Sequence, residues 1–155
     1  MADNEKPTKM PSAAQGFGYA GLVPLIAGAI AVWTSEAAEV RPVAEAMLFY
    51  SATVLSFLGG VRWGLAIDNP RSGRMFSSLT IGIFPPLIAW VMMLIDLHWG
   101  LLGTAVAYAL MYASDLMATK EGTAPAWYPQ LRLPLTIVAD IAVLIIFARV
   151  MMMAG

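Results

Sequence analysis

Three charged side chains stand inside long apolar stretches of the sequence, Arg62, Asp115 and Asp140. A charge at mid-membrane costs on the order of 2.5–3.5 kcal/mol on insertion scales, so each calls for a partner or for water. A guanidinium presents donors in a planar fork to a carboxylate, a phosphate or a carbonyl oxygen, and a carboxylate can balance that charge or handle a proton. Two kinds of site follow from the same residues. In the first, Arg62 pairs with Asp115 or Asp140 as a structural clamp, or snorkels to the headgroups. In the second, Arg62 binds an anion, a phospholipid headgroup or a quinone-like carbonyl, with an acid beside it. A third use is contact with a larger partner complex.

Other chemistry is scarce. His98 is the single histidine, so bis-imidazole haem ligation within one chain is excluded, and Asp96 with His98 supplies at most two metal ligands. Eleven methionines, among them Met92-Met93 and Met151-Met152-Met153, are ordinary apolar fillers without cysteine or further histidine to hold copper. With no cysteine there is no disulfide, thiolate zinc site or iron–sulfur ligation. There is no phosphate-cradling glycine loop, no nucleophile with a base beside it and no zinc-protease motif. No metal, cofactor or catalytic group is expected. Nine Lys and Arg against ten Asp and Glu leave a formal net charge of -1, which argues against a nucleic-acid partner.

The elements that must position these charges are membrane helices. Five apolar stretches, roughly 16–33, 43–67, 75–95, 99–117 and 131–151, each approach the ~20 residues that cross a bilayer. With 59% hydrophobic and 12% charged residues, too little polar surface remains to coat a soluble globule. The expected fold is all-α, an integral bundle of five transmembrane helices over residues 16–155, behind a disordered cytoplasmic tail over 1–15. Lys6 and Lys9, Arg71 and Arg74, and Lys120 and Arg132 fall on one side of an odd-numbered bundle, against Arg41 and Arg149 on the other. The positive-inside rule then puts the N-terminus in the cytoplasm and the C-terminus outside. A first span containing Pro24 is long for a signal-peptide core, and Asp3 and Glu5 disfavour a mitochondrial presequence, so the expected location is a bacterial cytoplasmic (inner) membrane. On this topology, spacing along the helices puts Arg62 about 8 Å, Asp115 about 4 Å and Asp140 about 12 Å from the cytoplasmic ends.

Short connections predict that consecutive helices pack as antiparallel neighbours. The longer stretch 118–130, with Gly122, Pro125 and Pro129 around Trp127 and Tyr128, reads as a loop pinned by aromatic rings at the headgroups. Ala52, Ser56, Gly60 and Gly64 recur every four residues and predict a ridge for close helix packing. Gly16, Ala20, Pro24 and Gly28 repeat the device in the first span, so a contact between spans one and two is the simplest pairing. Arg62 shares the opposite face with Ser51, Leu55 and Leu58. Pro85-Pro86 removes backbone donors from the middle of the third span and predicts a kink or break, of use to packing or to a ligand site.

The second span, Tyr50-Ser51-Ala52-Thr53-Val54-Leu55-Ser56-Phe57-Leu58-Gly59-Gly60-Val61-Arg62-Trp63-Gly64, resembles the signature of the domain of unknown function 3429 family, the transmembrane protein 69-like small multi-span membrane proteins. Gly18-Tyr19-Ala20-Gly21-Leu22-Val23-Pro24 and Trp127-Tyr128-Pro129-Gln130-Leu131-Arg132-Leu133-Pro134-Leu135-Thr136 are similar to the family's other blocks. The resemblance implies a small multi-span inner-membrane protein and adds no reaction or ligand. Two expectations remain. One is a non-catalytic accessory subunit or assembly factor whose partners are the lipid bilayer and a larger membrane-protein complex, energy-transducing for example, or a homo-oligomer. The other is a small carrier or lipid/quinone-binding protein with a polar pocket around Arg62, Asp115 and Asp140.

Overall fold

The computed structural model describes residues 9–68 and 75–154, and among these every regular element is a helix. In chain order they are α1 (Ser12–Ala20), α2 (Val23–Thr34), α3 (Ala37–Asp68), α4 (Met75–Leu94), α5 (Leu97–Lys120) and α6 (Tyr128–Ala154). Taking α1 and α2 together as Ser12–Thr34, five helical runs are long and apolar enough to cross a membrane. Lys6, Arg71, Arg74 and most of the expected tail lie outside the described residues.

Helix boundaries differ from expectation where proline or a short turn decides them. The first span begins at Ser12 and is interrupted at Gly21 and Leu22. Pro24, in the first turn of α2, has no N–H to continue the ladder of α1, so the chain restarts its helix there. The joint is tight, with the Gly21 N–H bonded to Phe17 O at 3.1 Å and the Leu22 N–H to Tyr19 O at 3.0 Å. Only Ser35 and Glu36 separate α2 from α3. The stretch expected as an outer loop before Val43 is instead the first turns of α3, where Glu39 complements the helix dipole and Arg41 pairs with Glu45 at 2.8 Å.

Of the kink or break expected at Pro85-Pro86, the break does not occur. α4 is continuous from Met75 to Leu94 although Ile81 and Gly82 lose the amides that would bond their carbonyls. A neighbour fills the gap. A Cβ added at Gly59 of α3 would lie 2.5 Å from Gly82 O and 2.9 Å from Pro86 Cδ. The Gly82 carbonyl and the Pro86 ring thus rest on the bare backbone of Gly59, and Trp63 Nε1 donates to Leu79 O at 2.8 Å.

The ridge of small residues is likewise placed differently. Ala52 is buried and Ser56 half-buried, whereas Gly60 and Gly64 are exposed with nothing within 4 Å of an added Cβ. In the first span Gly16 and Ala20 are exposed, and only Gly28 is packed, against Met47 of α3. The expected pairing of spans one and two therefore holds, but through Gly28 and through Tyr50, whose hydroxyl donates to Gly21 O at 2.7 Å.

α3 is the central helix, touching α2, α4, α5 and α6, and consecutive spans are neighbours as expected. The core it organises is closed by Leu25 and Val32 of α2, Leu101 and Tyr108 of α5, and Val143 and Ile146 of α6. The end of the bundle that holds the α2–α3 turn is fastened by Arg149. Its Nε donates to Val32 O, an otherwise free carbonyl in the last turn of α2, at 3.1 Å, and its guanidinium lies 5.5 Å from the Trp33 ring centre. Arg149→Ala is expected to lower stability by about 1–2 kcal/mol, measured as unfolding in mixed micelles. No change would mean that the clasp is not formed in the membrane.

Candidate functional site

Asp115 sits in the last turns of α5, five residues before Lys120, and Arg132 in the first turns of α6, four residues after Tyr128. The loop between them turns sharply, so the two stand at the same depth. Gly122 makes that turn, with φ +73°, a left-handed conformation that favours glycine. Thr123 and Ala124 return N–H bonds to Ala118 O at 2.9 and 3.1 Å. Tyr128, expected at the headgroups, is instead buried against Ala118, Ala124 and Val61, which ties the loop to α3.

Asp115 is 1% exposed and its Oδ2 accepts from Arg132 Nε at 2.8 Å, a charge-assisted hydrogen bond. Arg62, 4% exposed, approaches from α3. Its Nη1 donates to Ser114 O at 2.7 Å and lies 3.9 Å from Asp115 Oδ1. One buried carboxylate thus stands between two buried guanidiniums and joins α3, α5 and α6. Arg62 shares the buried face of α3 with Ser51, Leu55 and Leu58, as the helical spacing requires.

Asp140 does not join this cluster. It lies two helical turns beyond Arg132 on α6, half-buried, and makes no ion pair among the described residues, while its Oδ1 is enclosed without a hydrogen-bond partner. Arg132 takes the place that the sequence reading gave to Asp140. Its position beside the loop suggests a solvated charge, although the apolar run begins at Leu131 and so contains it. Matching its depth to that of Asp115 across the loop is the signal that identifies it.

Beside the cluster a cavity of about 360 Å³ opens between α1, α2, α3, α5 and α6. Arg132 and Thr136 lie on its wall with Leu25, Val54 and Ala139, whereas neither Arg62 nor Asp115 lines it. A second, smaller hollow of about 280 Å³ at the α2–α3 end of the bundle is lined by Arg41, Asp96 and His98, whose ring packs on Trp99 at 5.0 Å. Among the described residues no three His, Asp or Glu side chains converge on a point, so the interior offers guanidinium and hydroxyl donors rather than a set of metal ligands.

The chain is similar to known proteins over most of its length. The family model described as "Protein of unknown function (DUF3429)" matches residues 10–148. Transmembrane protein 69 of Xenopus tropicalis is 34% identical over 130 residues, covering 83% of this chain and 51% of that protein. The chain thus spans about half the length of this curated relative. No solved structure matches.

Proposed function

The chain belongs to the DUF3429 family, and from that premise we propose that this multi-pass membrane protein is a non-catalytic accessory subunit or assembly factor of a larger complex, such as an energy-transducing one, in the bacterial inner membrane. The observation that carries this reading is the use made of the interior charge. Arg62, Asp115 and Arg132 are turned on one another in the interior, where they hold three helices in register. A carrier built around Arg62, Asp115 and Asp140 is less well supported, because Arg62 and Asp115 do not line the large cavity and Asp140 stands apart from both.

The proposed topology keeps the N-terminus in the cytoplasm. By their places in the sequence Lys6, Lys9, Arg71, Arg74 and Lys120 fall at that end, against Arg41 and Arg149 at the other. Arg132 no longer contributes to the bias, since it is buried.

Ser56, Gly60 and Gly64 offer a partner's transmembrane helix a place for close approach, because Gly60 and Gly64 are open to the outside of the bundle. The test uses the absence of native cysteine. Gly60→Cys is expected to crosslink in native membranes to one other polypeptide in stoichiometric yield, and Leu144→Cys, on the exposed side of α6, is expected not to. Crosslinking only to a second copy of this chain, or equal yields at the two positions, would overturn the reading.

A further inference from the structure

The wall of the 360 Å³ cavity carries five polar side chains, Tyr50, Thr53, Tyr108, Arg132 and Thr136. Three are already engaged by backbone. The Tyr50 hydroxyl donates to Gly21 O at 2.7 Å, the Tyr108 hydroxyl to Ser51 O at 2.8 Å and the Thr53 hydroxyl to Phe49 O at 2.9 Å. The other two are not. Arg132 Nη2 and Thr136 Oγ1 are enclosed without a hydrogen-bond partner, in side chains 6% and 7% exposed.

Thr136 departs from most of the helix hydroxyls, as does Ser114, whose Oγ is also enclosed without a partner but borders a different hollow. Thr34, Ser51, Ser56, Thr80, Thr104 and Thr119 all return their hydroxyl to the carbonyl four residues back, the ordinary resting place for such a group. Thr136 leaves its hydroxyl free one turn above Arg132, on the same face of α6. Two unclaimed donors one turn apart therefore border a space whose other walls are mainly apolar. Both guanidiniums turn on the one Asp115 carboxylate, which leaves Arg132 Nη2 over. Asp140, the nearest further acid on α6, is not part of the cavity wall.

Depth sets the orientation of an occupant. Arg132 is four residues into α6, about 6 Å along the helix, and the cavity continues past Thr136 to Ala139, about 10 Å further in. Polar donors thus lie near the interface and apolar wall lies below them, in the order of head and tail in a lipid of that leaflet. The volume is at the lower end of the ~300–1,000 Å³ typical of small-molecule sites.

We propose that this cavity binds one amphipathic lipid by an oxyanion head, phosphate or carboxylate, held by Arg132 Nη2 and Thr136 Oγ1, with its hydrocarbon chain lying inward between Leu25, Val54 and Ala139. This site is separate from the partner surface on α3, and its test does not rest on that surface.

The experiment is native mass spectrometry of the full-length protein in non-ionic detergent, titrated with oleate, methyl oleate and dioleoylphosphatidylglycerol. Binding of one molecule of oleate or of dioleoylphosphatidylglycerol is expected, and methyl oleate, which has the chain but no anion, is expected to bind at least tenfold more weakly. Binding of oleate alone would identify a free fatty acid as the source of the head, and binding of phosphatidylglycerol alone a phospholipid. Thr136→Val is expected to weaken binding about tenfold and Thr136→Ser to restore it. Thr53→Phe, which fills the cavity from α3 without touching the charges, is expected to abolish it. Equal binding of oleate and methyl oleate, saturation by several molecules, or unchanged binding in Thr136→Val or Thr53→Phe would overturn the proposal.

Discussion

Asp115→Leu is expected to destabilise the bundle by roughly 3–5 kcal/mol, as measured for buried ion pairs broken by removing one partner. The size of the effect comes from what remains rather than from the bond that is lost. Arg132 would keep its place in the first turns of α6, 6% exposed, with no acceptor at Nε, and Arg62 would face it with only Ser114 O to satisfy. Neither guanidinium can leave, because each is enclosed on a helix whose other contacts fix it. Adding Arg132→Met to Asp115→Leu is therefore expected to recover part of the loss, since it removes one of the two uncompensated charges and keeps the volume. Arg62→Leu alone is expected to cost less than Asp115→Leu, because Arg132 and Asp115 still neutralise one another. Unfolding of the purified protein in mixed micelles measures all four forms. An Asp115→Leu protein within about 0.5 kcal/mol of the native one, the range of ordinary surface substitutions, would show that the arginines are solvated independently and that there is no clamp.

The second large effect is expected at Gly59. A Cβ there meets Gly82 O at 2.5 Å and Pro86 Cδ at 2.9 Å, and both belong to parts of α4 that cannot rotate away. Gly59→Ala is thus expected to destabilise by about 1–3 kcal/mol, the usual range for overpacking, and Gly59→Leu to prevent α3 and α4 from docking. Gly60→Ala, one residue on, is expected to be neutral or slightly stabilising in the isolated protein, since its Cβ meets nothing within 4 Å and alanine is the better helix former. The same unfolding measurement decides the matter. Equal effects at the two positions would mean that α3 and α4 do not cross at Gly59.

The contrast between these adjacent glycines shows how far the sequence could be read. A repeat of four residues advances about 40° beyond a full turn at each step, because the helix has 3.6 residues per turn. Over the three steps from Ala52 to Gly64 the small residues wind about 120° around α3, so the row begins in the core and ends facing lipid. Spacing identified a smooth stripe but not how much of it is covered. The number and order of the spans were legible because a run of twenty apolar residues has few alternatives. So was the face carrying Ser51, Leu55, Leu58 and Arg62, which follows from helical geometry within one element.

Facts that depend on two elements meeting were less accessible. Asp115 was recognised as needing a cation, but Arg132 was discounted because it lies at the edge of an apolar run, where loop and helix look alike. Pro24 and Pro85-Pro86 have the same local effect, loss of amide donors, and opposite outcomes. The ladder ends at Pro24, whereas a glycine on a neighbouring helix accommodates Pro85-Pro86. Asp140 was expected to carry the greatest interest as the deepest acid. In the structure the free donors that border the large cavity lie at Arg132 and Thr136, and a threonine in a membrane helix has no sequence signal to distinguish it from those that bond to their own backbone.

The central claim is that the interior charges hold this bundle together so that it can serve as part of something larger. The most direct measurement is the intact mass of the tagged protein extracted from its native membrane in mild detergent, alone and as Gly60→Leu. The account predicts a particle that contains this chain and one other polypeptide in fixed ratio, and its dissociation to the folded chain alone in Gly60→Leu. A particle built only of this chain, with the same mass for both proteins, would contradict it.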